Sequence, residues 1–132
     1  FDWEKRLSFE GQTGPYVQYT HARISSLLKK GDFNKDEDFD ISLLSGEEEF
    51  EILKQIYNFS EVIKDAGEKY QPFFITRHIV ALSQSFNKYY GSTPIVVEDE
   101  ELKKARLALC YVTKTVIKSG LGLLGINAPE KM

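Results

Sequence analysis

Phe9-Glu10-Gly11-Gln12-Thr13-Gly14-Pro15-Tyr16-Val17-Gln18-Tyr19-Thr20-His21-Ala22-Arg23 reads as a turn that runs directly into a helix. Gly11, Gly14 and Pro15 build the turn, and Pro15 suits the first helical position, where the N–H it lacks would have no intrahelical partner. From Pro15 on, Val17, Thr20, Ile24, Leu27 and Leu28 fall on one side of a wheel that advances ~100° per residue. The spacing predicts an amphipathic helix over 15–30, ended by Gly31. Tyr16, Tyr19 and Arg23 share an adjacent face of that helix. Two rings and a cation are the groups that stack on bases and grip phosphates.

Three further segments carry helical spacing. Ser45 with Glu48 three residues later is a capping-box pattern; it opens a helix over 47–66 with Phe50, Leu53, Ile56, Tyr57 and Ile63 inward and Gly67 at its end. A third helix covers 71 to 89 or 90, with Phe74, His78, Leu82, Ser85, Phe86 and Tyr89 on one side. Gly91 and Pro94 make a loop, and Ile95-Val96-Val97 is too short for more than a brief extended piece. The acids at 98–101 suit the positive dipole end of a fourth helix. That helix runs to 118 with Leu102, Ala105, Leu109, Val112 and Val116 inward and Gly120 as its C-cap. The expectation is an all-α bundle of four main amphipathic helices with a short C-terminal tail. Residues 1–14 read as a linker or the end of a preceding domain, and 15–132 as the helical domain.

The bulk numbers narrow the function. At 132 residues, 42% of them apolar, the chain has the size of one domain with enough apolar mass for a core without staples. Its one cysteine, Cys110, allows no internal disulfide and is compatible with a reducing compartment. No stretch approaches the ~18 consecutive apolar residues of a membrane span. The start at Phe1 rather than Met suggests a piece of a longer or processed protein. The formal charge of −3 argues against generic, phosphate-driven binding of nucleic acid, which calls for a basic domain. The acids cluster at 32–51 and 98–101, however, so a local basic face remains compatible with that total.

Most motifs have ordinary explanations. Asp32-x-Asn34-x-Asp36-x-Asp38-x-Asp40 has the alternation of a calcium loop, but Glu37 and Leu43 stand where that loop needs glycine and a bidentate glutamate. It reads as a solvated acidic loop. His21 and His78 lack partners at metal spacing; His78 reads as a hydrogen-bonded core histidine and His21 as a residue holding the turn to the first helix. Cys110 reads as a small core filler. No phosphate-cradling or nucleophile-elbow motif is present, so no catalytic residue and no metal ligand is assigned. If the third helix continues through Tyr89-Tyr90, Tyr89 faces the core and Tyr90 points ~100° away. Tyr90 is then either a stacking platform or a rim tyrosine. Lys103, Lys114 and Lys118 form a stripe on the fourth helix beside Tyr111, the usual appearance of a solvated face.

Three stretches carry a resemblance. Gly11-x-Thr13-Gly14-Pro15-Tyr16-x-Gln18-Tyr19-x-His21-x-Arg23 resembles the segment joining the catalytic core of arginyl-tRNA synthetases to their anticodon-binding domain. Phe86-Asn87-Lys88-Tyr89-Tyr90 is similar to the pattern that precedes a loop in that domain. The stretch from Arg106 through Gly120-Leu121-x-Leu123-Leu124-Gly125-Ile126 to Ala128-Pro129-Glu130-Lys131-Met132 resembles its terminal helix and tail. Those tails commonly end Pro-Glu-Arg-Met, and Lys131 here keeps the charge while losing the planar guanidinium. Residues 32–70 are family-like only in their helical pattern.

The resemblance implies an anticodon-binding domain of the class I synthetase type, attached to an upstream catalytic domain of the same chain. The parent enzyme would be an arginine–tRNA ligase using ATP with magnesium in the cytoplasm; the chain itself would hold no cofactor and would not aminoacylate. Its partner would be the anticodon loop of arginine tRNA, with no membrane involved. Tyr90 would stack on a base, Tyr16, Tyr19 and Arg23 would contact or support the loop, and Met132 would close the pocket. A helical protein-interaction or adaptor module without an RNA role is the competing expectation.

Overall fold

The computed structural model of the protein describes residues 13–69 and 71–132. Among them the chain forms α1 (Gly14–Lys30), a 3-10 turn (Ile41–Leu43), α2 (Glu47–Tyr57), α3 (Phe59–Glu68), α4 (Phe73–Ser92) and α5 (Glu100–Leu123), with no strand. The long helices α1, α4 and α5 pack on one another. α2 lies against α4 and α5, and α3 lies against α4. Val17, Ile24, Ile52, Ile79, Leu82, Phe86, Ile117 and Leu121 are fully buried between them. The expected all-α bundle is present. The linker expected over residues 1–14 lies outside the described residues up to Gln12, and Gly14 already belongs to α1.

The second expected helix is bent into two. Asn58 closes α2 and opens α3. Its N–H still reaches Lys54 O at 3.0 Å and its carbonyl accepts from Val62 N–H at 3.1 Å, so the break is a kink rather than a loop. The inward face also differs. Phe50 and Tyr57 are exposed (66% and 85%), while Glu49 and Ile52 are buried. A carboxylate takes the core position because it is fully partnered there. Its Oε2 accepts from Tyr89 O–H at 2.6 Å and from Arg106 Nε at 3.3 Å, and its Oε1 accepts from Gly46 N–H at 2.9 Å. That last bond also shifts the expected capping pair by one residue, from Ser45 and Glu48 to Gly46 and Glu49.

α4 presents Ile75 and Ile79 to the core besides the expected Leu82, Phe86 and Tyr89, whereas Phe74, His78 and Ser85 are only half-buried. α5 starts at Glu100, with Asp99 Oδ1 accepting from the N–H groups of Glu101 and Leu102. Val112 is exposed. Gly120 is not a C-cap. It is buried inside α5, and a Cβ there would lie 2.4 Å from Ile79 Cγ2, so α5 passes close against α4 at this glycine. The helix ends at Leu124, after which Gly125 takes φ +74. Ile126 N–H bonds Leu121 O at 2.8 Å and Gly125 N–H bonds Gly122 O at 3.0 Å, the paired closure of a Schellman end. This reversal sends the tail back over the bundle. Ile95 is buried, and Val97 N–H turns back to Ile95 O, so the expected extended piece is a tight turn.

Candidate nucleic-acid interface

α1 and the last turn of α4 bring the expected side chains together. Tyr89 is 1% exposed and Tyr90 42%, the inward–outward split that the wheel requires. The Arg23 guanidinium carbon lies 4.5 Å from the Tyr90 ring centre and 5.1 Å from that of Tyr19, so the cation sits against two aromatic faces. Tyr90 is backed by Phe86, with ring centres 6.2 Å apart. Arg23 Nη1 donates to Asn87 Oδ1 at 2.9 Å, and Nη2 points to Tyr19 Oη at 3.4 Å. Asn87 Nδ2 donates to Tyr16 Oη at 3.0 Å and to Thr20 Oγ1 at 2.9 Å, which ties Tyr16 to the same cluster.

This cluster forms one wall of a groove of about 520 Å³ lined by Tyr19, Arg23, Lys30, Tyr90, Lys131 and Met132, with Ala22, Ser26 and Leu27 at its base. Four of the five expected residues line it directly, and Tyr16 supports it through Asn87. Among the described residues no carboxylate side chain lines the groove, whereas Arg23, Lys30 and Lys131 do. The acids are spent elsewhere: Glu100 and Glu101 pair with Lys103 and Lys104, and Glu37 with Lys104. A smaller cleft of about 200 Å³ between the acidic loop and α5 is lined by those same paired charges. The acidic loop also uses its own groups, with Asp40 Oδ1 accepting from Ser42 N–H and O–H and Asn34 Oδ1 from Asp36 N–H. No cluster of His, Cys, Asp or Glu among the described residues could hold a metal ion.

The tail reaches the groove because α1 and α5 strap it down. Gln18 Nε2 donates to Asn127 O at 2.9 Å, His21 Nδ1 donates to Pro129 O at 2.8 Å, and Lys114 Nζ pairs with Glu130 at 3.2 Å. His21 is therefore structural and holds the tail; the turn it was expected to hold lies outside the described residues up to Gln12. Burial of its ring lowers its pKa, against the opposing pull of the Pro129 bond. The Ser25 hydroxyl, which donates to His21 O at 3.1 Å, and Lys114 together hold the nearby Glu130 carboxyl below its usual range. Lys114, expected on a solvated stripe, is thus a tail anchor.

The remaining candidates are structural. His78 Nε2 donates to Gln55 O at 2.8 Å and its ring stacks on Phe59, and burial lowers its pKa. Cys110 is fully buried, which raises its thiol to about 12. Sequence reasoning missed Asn87, Lys30 and Lys131 as parts of the groove. Asn87 stood inside a recognised motif, yet only the crossing of α1 and α4 shows what it touches.

A family model for the DALR anticodon binding domain matches residues 17–132. The chain belongs to this family. It is 49% identical over its whole length to the arginine–tRNA ligase of Halothermothrix orenii and 52% identical to that of Streptococcus uberis. In each case it spans 23% of the relative's length. Among solved structures it is similar to Thermus thermophilus arginyl-tRNA synthetase, with TM-score 0.83 and 35% identity over the whole chain and 23% of that protein. The Plasmodium falciparum arginyl-tRNA synthetase gives TM-score 0.79 at 25% identity over the same shares. The DALR domain thus accounts for the whole bundle, from α1 through the tail. No helix among the described residues is long and apolar enough to cross a membrane.

Proposed function

We propose that this DALR domain reads the anticodon loop of arginine tRNA for an arginine–tRNA ligase whose catalytic domain precedes it in the same chain. The observation that carries the reading is the Arg23 guanidinium held against Tyr19 and Tyr90 on the wall of an open, cation-lined groove. An anticodon loop offers unstacked bases and a curved phosphate backbone. Tyr90 presents a ring for a base to stack on, Arg23 supplies charge and donors beside it, and Met132 and Lys131 form the opposite wall. Tyr19 flanks them, and Tyr16 supports the wall through Asn87. Phosphates meet Arg23, Lys30 and Lys131 with no lining Asp or Glu side chain to oppose them, which reconciles RNA binding with a net charge of −3. The parent enzyme would use ATP with magnesium to arginylate tRNA in the cytoplasm. This chain's share is to hold the loop, and no residue of it is assigned to the chemistry.

The test is a fluorescence-anisotropy titration of the 132-residue chain with a labelled arginine anticodon stem-loop and with one of altered anticodon, at two salt concentrations. Tighter binding of the arginine stem-loop, weakening with salt, is expected. Equal affinity for both RNAs overturns the anticodon assignment, and binding to neither favours an adaptor role.

A further inference from the structure

The groove's central cation is fixed by a neutral residue behind it. Asn87 is half-buried on α4, one turn below Tyr90 and Gly91, and its amide is used in three directions. Chemistry fixes the orientation of that amide. Arginine can only donate, so Oδ1 must face Arg23 and Nδ2 must face the hydroxyls of Tyr16 and Thr20. Thr20 satisfies this by donating its own proton back to Tyr16 O at 2.9 Å. The network therefore has one consistent direction: α1 backbone carbonyl, Thr20 hydroxyl, Asn87 amide, Arg23 guanidinium.

We infer that Asn87 is the positioning residue of the groove: it holds the Arg23 fork by one edge against the Tyr90 and Tyr19 rings and leaves its charge whole for the ligand. The inference rests on the RNA reading of the groove. Two of the five guanidinium N–H groups point to Asn87 and Tyr19, which leaves three for a phosphate or a base edge. An Asp at the same place would fix the fork equally well but would neutralise the cation. A neutral acceptor is the group that restrains an arginine without consuming its charge. Asn87 need not touch RNA; it acts through Arg23.

A double-mutant cycle with an independent readout tests this. Stem-loop affinity is measured for the parent, Asn87→Ala, Arg23→Ala and the double variant, together with Asn87→Asp. Side-chain nitrogen NMR follows the Arg23 Nη groups without RNA. Asn87→Ala should weaken binding about tenfold in the parent background and less than about twofold in the Arg23→Ala background, the non-additivity of residues sharing one network. Asn87→Asp should lower the log–log salt slope by about one, because one cation no longer meets phosphate. The Arg23 Nη resonances should be resolved in the parent and averaged by fast rotation in Asn87→Ala. Equal losses in both backgrounds, or unchanged Nη resonances, overturn the positioning role. If Arg23→Ala loses binding while Asn87→Ala and Asn87→Asp keep it, Asn87's role falls and the groove stands. If Arg23→Ala binds like the parent, the RNA reading of this wall falls as well. Should Asn87→Ala melt below the assay temperature, Asn87→Asp and its salt slope decide.

Discussion

Replacing Tyr90 and Tyr89 separately by alanine should give opposite phenotypes from adjacent residues. Tyr90 is 42% exposed and touches Phe86 and Arg23. An aromatic pair contributes about 0.5–1.5 kcal/mol beyond burial, and an exposed cation–π contact about 0.5–1 kcal/mol. Tyr90→Ala should therefore cost roughly 1–2.5 kcal/mol of stability and leave the bundle folded. Its loss as a stacking platform should weaken stem-loop binding by about 1–3 kcal/mol, roughly 5- to 150-fold. Tyr89 is 1% exposed and donates its O–H to the buried Glu49 at 2.6 Å. Deleting such a ring costs about 3–5 kcal/mol, and losing a hydrogen bond to a charged group adds about 1.5–3 kcal/mol. That sum is a large part of the roughly 5–15 kcal/mol that holds a domain together. Thermal melting and anisotropy titration, run on both variants at two salt concentrations, separate the effects. The reasoning fails if Tyr90→Ala binds RNA like the parent, or if it melts as low as Tyr89→Ala.

Two glycines of α5 should respond with opposite signs to alanine. Gly120→Ala drives a Cβ onto the stiff, buried Ile79 and should lose about 1 kcal/mol net, since overpacking at roughly 1–3 kcal/mol exceeds the helix-propensity gain. Gly122→Ala, with nothing within 4 Å, should gain up to about 1 kcal/mol; denaturant midpoints of the two variants check both signs. Mild acid should loosen the protein. Burial holds His21 and His78 below their ordinary 6.5, so the unfolded chain takes up protons first, and their stabilisation is complete above about pH 6.5 and lost as pH falls through their lower folded values. Urea unfolding between pH 7 and 5 should show that decline, and His21→Gln should reduce it; a flat profile there contradicts the assignment. Removing Lys131 and Met132, both exposed, should leave the melting temperature nearly unchanged and weaken the stem-loop complex, because only the groove wall is lost. An unaltered titration curve would show that this wall makes no contact.

Legibility in the sequence followed how local the deciding contact is. The helix over α1, the Tyr89–Tyr90 split and the proximity of Tyr19 to Arg23 all follow from helical spacing within a few residues, and the structure shows each of them. Glu49 defeated the same reasoning. A wheel ranks apolar residues inward and placed Phe50 and Tyr57 there, but the core position belongs to an acid whose partners, Tyr89 and Arg106, lie 40 and 57 residues away. Gly120 failed for a related reason. Glycine near a helix end usually means a stop, and only the approach of α4 shows that this one means contact. Lys114 was expected on a solvated face and His21 beside the turn, yet the partner of both is a tail that no periodicity describes. Residues 1–12, including the first four of the motif that opened the reading, lie outside the described structure.

The straps on the tail have a consequence for synthesis. Gln18 and His21 bond residues 109 and 108 positions further along the chain. α1 therefore emerges early and waits while α2 to α5 are made, for about 5–20 s at the usual 5–20 residues per second. During that interval the side chains of Gln18 and His21 keep water as their partner, and Arg23 and Tyr19 stand beside a groove with one wall missing. The binding surface closes last, with residues 127–132, so a nascent chain can complete most of its core before it can grip a ligand. Order of assembly, rather than any separate guard, would keep an unfinished chain from engaging RNA.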